Sequence, residues 1–291
     1  MKKILSTHCV RESHWVGDGF PVRTIFSYHD LGRELSPFLM LDHAGPTSFE
    51  PSDTQRGVGW HPHRGFETVT VVIEGEVEHE DSAGNSGRIG PGDVQWMTAG
   101  SGVLHKELHG RDYARRGGRF EMLQFWVNLP AKKKMTAPRY QTVLAADIPV
   151  VTLPDDAGEV RVIAGDFRNA RGPAQTVTPL NLLEVRLRAG RRLPLDLHDS
   201  HTAGLFVTKG EILVNDQETV SSGALVVLDR EGENALLGVD MDATLFVMSG
   251  LPLDEPISGY GPFVMNTAEE IRQAIEDMRN GRLGAIPAAT V

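Results

Sequence analysis

Residues 61–70 read HPHRGFETVT and residues 91–107 read PGDVQWMTAGSGVLHKE, so His61-Pro62-His63 and His105-Lys106-Glu107 stand at the two ends of one 47-residue stretch. Each pair of metal-type side chains skips one residue. Neighbours two apart on a β-strand share a face. Two extended segments can therefore aim four imidazole and carboxylate groups at one point. The chain between them reads as strands and turns. Glu67 to His79 (ETVTVVIEGEVEH) is rich in β-branched residues, and Asp81 to Gly87 supplies the Asp, Ser, Asn and Gly residues of a hairpin loop.

An isolated histidine is ordinarily a surface residue or a hydrogen-bonded core group. Three histidines and a carboxylate, paired twice at strand spacing and flanked by glycine turns, point instead to a metal site. Glu67 shares parity with His61 and His63 if the strand is unbroken. Two ligand sets therefore compete, three histidines with Glu107 or three histidines with Glu67, and parity alone does not choose.

Working outward, Gly92 to Met97, Arg119 to Leu129 and Val160 to Ala164 repeat the pattern of short β-branched or aromatic runs bounded by turn residues. VVIEGEVEHED around Gly75 resembles LFVTKGEILVND around Gly210, and Pro91-Gly92-Asp93-Val94 has a counterpart in Ser222-Gly223-Ala224-Leu225. Two copies of one β module suit the 291-residue length. The match sets Asp196 against His61, His198 against His63, Leu236 near His105 and Gly238 near Glu107, so the second copy lacks the ligand set. Prolines 130, 138, 149 and 154 mark the linker. The expected domains are 1–135, with the metal ligands, and 136–291, without them and ending in a helix. Thr267 and Glu270 form a capping-box signature, and Ile271, Ala274, Ile275 and Met278 share one face of that helix.

Charge narrows the function. A formal charge of −10 disfavours a nucleic-acid partner, because a phosphate backbone needs a basic face. Lys132-Lys133-Lys134 reads as a short solvated loop. Cys9 is the sole cysteine, so no intramolecular disulfide can form, and a buried or idle thiol is expected. The N-terminal residues lack an apolar run long enough for a signal peptide, and no segment is apolar for the length of a bilayer. The expectation is a soluble, cytoplasmic protein with no membrane partner. No nucleophile motif or phosphate loop is present, which leaves metal-centred chemistry.

The order HxH, Glu, glycine turn, PGD and a final His after Ala99-Gly100 resembles the cupin motif pair. HPHRGFETVT, PGDVQWMTAGSGVLHKE, LQFWVNLPAKKKM, PRYQ, VRVIAG and GPFVMNTAEEI together resemble the pirin family over almost the whole chain. The resemblance implies an all-β fold of two cupin (jelly-roll type) β-barrel domains with a short C-terminal α-helix, and a metal only in the N-terminal barrel. It carries the ligands onto His61, His63, His105 and Glu107 and turns Glu67 into a pocket carboxylate. Iron is the metal it implies, although imidazole and carboxylate also suit nickel, copper, cobalt, manganese or zinc.

The family is associated with quercetin 2,3-dioxygenase activity. A flavonol would then bind through its 3-hydroxyl oxygen, Glu107 would act as ligand and catalytic base, and O2 would open the ring with release of carbon monoxide. Phe66, Glu67, Gln124 and Trp126 are the expected substrate contacts, since Met122, Gln124 and Trp126 alternate along one strand. Asp42 and His43 resemble a family segment near the site. The alternative is a metal- or redox-dependent regulatory protein, a transcription cofactor or metabolic regulator acting through a protein partner. A monomer is expected in either case.

Overall fold

The structure, a computed structural model, describes residues 1–286. Antiparallel sheets dominate, and the chain divides into two units. One comprises Met1–Arg11, Asp30–Phe38 and Ala146–Leu253; the other comprises Glu12–His29, Leu39–Ala145 and the described residues from Asp254 to 286. Each holds a seven-stranded and a four-stranded sheet. The repeat explains this likeness. The strands Phe66–Glu74 and Thr202–Lys209 both lead into a glycine in the left-handed region, Gly75 at φ 94° and Gly210 at φ 75°. Only glycine takes that conformation without a Cβ penalty.

The division does not fall at a single point near residue 135, as expected from the prolines. The N-terminal strand Ile4–Cys9 pairs with Ala224–Leu228, from Ile4↔Leu228 to Cys9↔Ala224, and so belongs with the C-terminal barrel. Cys9 ends this strand exposed rather than buried. The helix Ala268–Arg279 belongs with the N-terminal barrel instead, where Ile271 and Ala274 pack with Phe263, Met265 and Leu283. Its Thr267–Glu270 capping box forms as expected, but Met278 is left exposed. Both assignments depend on long-range pairing, which local periodicity does not encode.

The C-terminal unit has an apolar interior. Arg192–Asp196 pairs with Asn234–Gly238, and the inward residues Leu193, Leu195, Ala235 and Leu237 are buried in the core. Asp196 faces outward and His198 lies in the loop beyond it.

In the N-terminal unit, the four-stranded sheet runs Gly57–His63, Val103–His109, Val77–Asp81, Ser86–Ile89. The seven-stranded sheet places Phe66–Glu74 between Val94–Thr98 and Gly118–Asn128. Among the described residues no helix is long and apolar enough to cross a membrane.

Candidate metal centre

The two ligand strands are direct neighbours. His105 pairs with His61 and Val103 with His63, which sets the three imidazoles on one face. The register then shifts, so that Glu107 lies opposite Val58 rather than Gly59. The extra residue is on the partner strand, and Glu107, two residues after His105 on an unbroken strand, shares its inward face by simple alternation. The ring centroids of His61, His63 and His105 lie 4.2–4.9 Å apart. One ligating atom from each falls within 4.8 Å of the others.

The nitrogens are arranged to donate. His61 Nδ1 bonds the Gly59 carbonyl at 2.8 Å, which leaves Nε2 as its free donor. His63 Nδ1 and His105 Nε2 are buried without a hydrogen-bond partner. Buried polar atoms are rarely left so, and a bound cation accounts for both. Burial, followed by the neighbouring imidazoles, holds His63 and His105 well below the ordinary histidine range. They are therefore neutral near pH 7, the form a metal requires. Three imidazoles and a carboxylate fit a transition metal.

Glu107 falls within 4.8 Å of His105 in a second group that includes His79 rather than His61 and His63, and it is held on both oxygens. Thr70 Oγ1 and Gln95 Nε2 donate to Oε1 at 3.2 and 2.8 Å, and Gln124 Nε2 donates to Oε2 at 3.0 Å. His61, His63, Glu107, Gln124 and Trp126 line a cavity of about 260 Å³. Its walls are apolar and include Phe20, Met40, Val58 and Met122. Asp42 also lines it; burial raises this carboxyl above its ordinary range, against a 2.6 Å hydrogen bond from Thr24 Oγ1. His43 points to the other face of its strand, where it bonds Arg23 and Glu121.

Of the expected substrate contacts, Gln124 and Trp126 line the cavity. Phe66 lies behind them, fully buried against Trp126 at 4.3 Å and His63 at 5.2 Å between ring centroids.

Glu67 does not reach the cavity. The first ligand strand ends at His63, and Gly65 at φ 90° turns the chain so tightly that a Cβ would lie 2.0 Å from the Val264 carbonyl. A new strand begins at Phe66, which breaks the parity that linked Glu67 to His61. Glu67 then pairs with Thr98 and Val127, on the face opposite Thr70.

There, burial pushes its carboxyl up from 4.5 to about 7, against hydrogen bonding from Thr98 and Trp96 and the charge of Arg139. Between these two values the folded chain holds a proton that the unfolded chain has lost, so stability falls as pH rises through that window. Glu67→Gln, which mimics the protonated group, should be more stable than the native protein at alkaline pH by about 1–3 kcal/mol. That advantage should shrink as pH falls toward 4.5. Urea denaturation at both ends of the window measures it.

The ligand strand is clamped from behind. Arg64 donates from Nη1 to Asp277 Oδ2 on the C-terminal helix at 2.8 Å and from Nε to the Ser101 carbonyl at 2.6 Å. Hydrogen bonds from Gln273, Arg64 and Arg282 hold the Asp277 carboxyl below the usual range, against desolvation. Lys134 departs from the expected solvated loop. It is buried, and its Nζ donates to the Gly65 and Val264 carbonyls and to Asn128 Oδ1 at 2.7–2.8 Å. Burial lowers its pKa to about 7, against the charges of Glu255 and Glu270.

Both halves of the chain match known families and structures. The family model described as Pirin matches residues 19–127, and that of the Pirin C-terminal cupin domain matches residues 182–284. A Pseudomonas aeruginosa protein named "putative quercetin 2,3-dioxygenase" is 57% identical over 282 residues, covering 97% of this chain and 98% of its own. The crystal structure of a quercetin 2,3-dioxygenase from Acinetobacter baumannii superposes with a TM-score of 0.96 at 49% identity, covering 99% of this chain and 100% of that one. A bacterial pirin from Escherichia coli, solved in complex with nickel(II), shares the fold at 21% identity and a TM-score of 0.65, over 85% of this chain and 99% of that one.

Proposed function

The chain belongs to the pirin family, and from that premise we propose that it is a metal-dependent dioxygenase opening flavonols such as quercetin with release of carbon monoxide. The observation that carries this reading is the convergence of His61, His63 and His105 at an apolar-walled cavity, with Glu107 beside them. Iron is the metal we infer; nickel, which the Escherichia coli relative holds, suits the same donors. A bound transition metal would supply a Lewis-acid position for the substrate's 3-oxygen and unpaired electrons that ease reaction with O2.

The chain's own groups do the rest. Phe20, Met40 and Met122 enclose a flat aromatic body and keep water from it. Glu107 takes the 3-hydroxyl proton as catalytic base, and its contacts with Gln95 and Gln124 hold the carboxylate in place for that transfer. Asp42, with its raised carboxyl, lines the cavity and offers a hydrogen bond to a ring hydroxyl. The reaction balances as flavonol plus O2 giving the depside plus carbon monoxide. Both oxygen atoms enter the depside, and the carbon between the two cleaved bonds leaves as the gas.

The test is O2 uptake and carbon monoxide release by protein loaded in turn with iron, nickel, copper or manganese and supplied with quercetin. Equal uptake and release is the expected result. Absence of both with every metal overturns the proposal and directs attention to the regulatory reading.

A further inference from the structure

Two buried residues that the reaction scheme does not use stand behind His105. The strand Val77–Asp81 pairs with Val103–His109, with Asp81 opposite His105 and His79 opposite Glu107, so both side chains face inward. His79 Nδ1 lies 3.4 Å from His105 Nδ1, and His79 Nε2 lies 3.3 Å from Asp81 Oδ2. Both separations lie slightly beyond the ordinary hydrogen-bond range of about 2.7–3.2 Å, as weak contacts. His105 is 0%, Asp81 1% and His79 3% exposed, so water does not compete for these contacts. The stack of Tyr140 on His79, at 4.6 Å and 14°, fixes the ring plane.

The proton positions follow from the ends of the chain. Asp81 acts as an acceptor, since its oxygens also receive the Ala83 and Asn85 backbone N–H groups and the Asn85 side-chain amide. His79 must therefore carry its proton on Nε2 and present a lone pair at Nδ1. His105 then donates from Nδ1, and its lone pair lies at Nε2, the buried nitrogen without a partner. The opposite assignment would protonate the nitrogen needed for the metal and set two acceptors against each other at Asp81.

We propose that Asp81 and His79 form a carboxylate–imidazole relay that sets the tautomer and orientation of His105, making His79 a positioning residue for the metal centre. The relay rests on the metal-binding reading of the site. A hydrogen-bonded partner on the far nitrogen of a histidine ligand orients the ring and raises its basicity. A parallel chain serves Glu107: Tyr140 O–H donates to Gln95 Oε1 at 3.1 Å, which turns the amide so that Nε2 donates to the carboxylate. His79 and Tyr140 are stacked, so the two orienting chains brace each other.

Co(II) titration followed by d–d absorption, with chelator competition for affinity, tests the relay in the full-length protein. His79→Leu removes the acceptor at similar bulk, whereas His79→Gln can still accept from His105 and donate to Asp81. His79→Leu should bind Co(II) roughly 10–100-fold more weakly with an altered d–d spectrum, and His79→Gln should recover native affinity to within about threefold. Native affinity and spectrum in His79→Leu overturn the relay alone. So does a second bound Co(II) in the native protein that His79→Leu loses, since His79 would then be a ligand itself. A native protein that takes up no Co(II) overturns the metal centre and the relay together.

Discussion

Replacing His63 with alanine is expected to weaken transition-metal binding by more than about 100-fold, beyond the loss typical of residues that merely support a ligand. The imidazole is buried, neutral and without a partner at Nδ1, so a cation would satisfy a nitrogen that nothing else in the fold does. Metal and stability are then linked. Metal at 100 to 1,000 times its dissociation constant should stabilise the native protein by about 3–4 kcal/mol and His63→Ala by no more than about 0.4–1.4 kcal/mol. Metal content after dialysis against a chelator, and urea midpoints with and without metal, read both effects. Glu107→Ala separates a second role. A variant that keeps its metal and turns quercetin over at the native rate would remove Glu107 as base.

Arg64→Met should cost about 2–4 kcal/mol of stability, the largest effect expected from a residue that touches neither metal nor substrate. It strips Asp277 of the buried arginine and leaves the Ser101 carbonyl without its 2.6 Å donor. Removing one member of a buried pair typically costs about 3–5 kcal/mol, and Gln273 and Arg282 retain part of that here. The measurement is the urea midpoint at unchanged slope. Pairing Arg64→Met with Asp277→Leu should recover much of the loss, because the stranded carboxylate is then gone. By contrast, Arg186 and Glu159 meet at the surface, and Glu159→Ala should change stability by less than about 1 kcal/mol.

These two arginine pairs differ in a way that the linear sequence hides, and the same contrast runs through the molecule. The shared face of His61 and His63, and that of His105 and Glu107, was legible because strand periodicity places residues two apart on one side, but parity left Glu67 and Glu107 as rivals and only the family resemblance chose Glu107. The duplicated module was legible from the glycines that end equivalent strands. His79 and Asp81 carried a signal of the same kind, a histidine and a carboxylate two apart. Nothing local distinguished that signal from the ordinary alternation of a strand.

What tertiary structure alone decided is where strands stop and what covers them. The turn at Gly65 reverses the parity of Glu67, and the bulge opposite Lys106 shifts the register so that Glu107 meets Val58. Lys134 is drawn out of solvent by three acceptors, two of them backbone carbonyls distant in the chain. The first strand and the last helix each belong to the barrel that their position in the sequence did not suggest. Periodicity is a property of a few consecutive residues and is written in the chain. Register, chain reversal and long-range pairing are set by the free energy of the whole folded barrel, so they emerge only when distant segments meet.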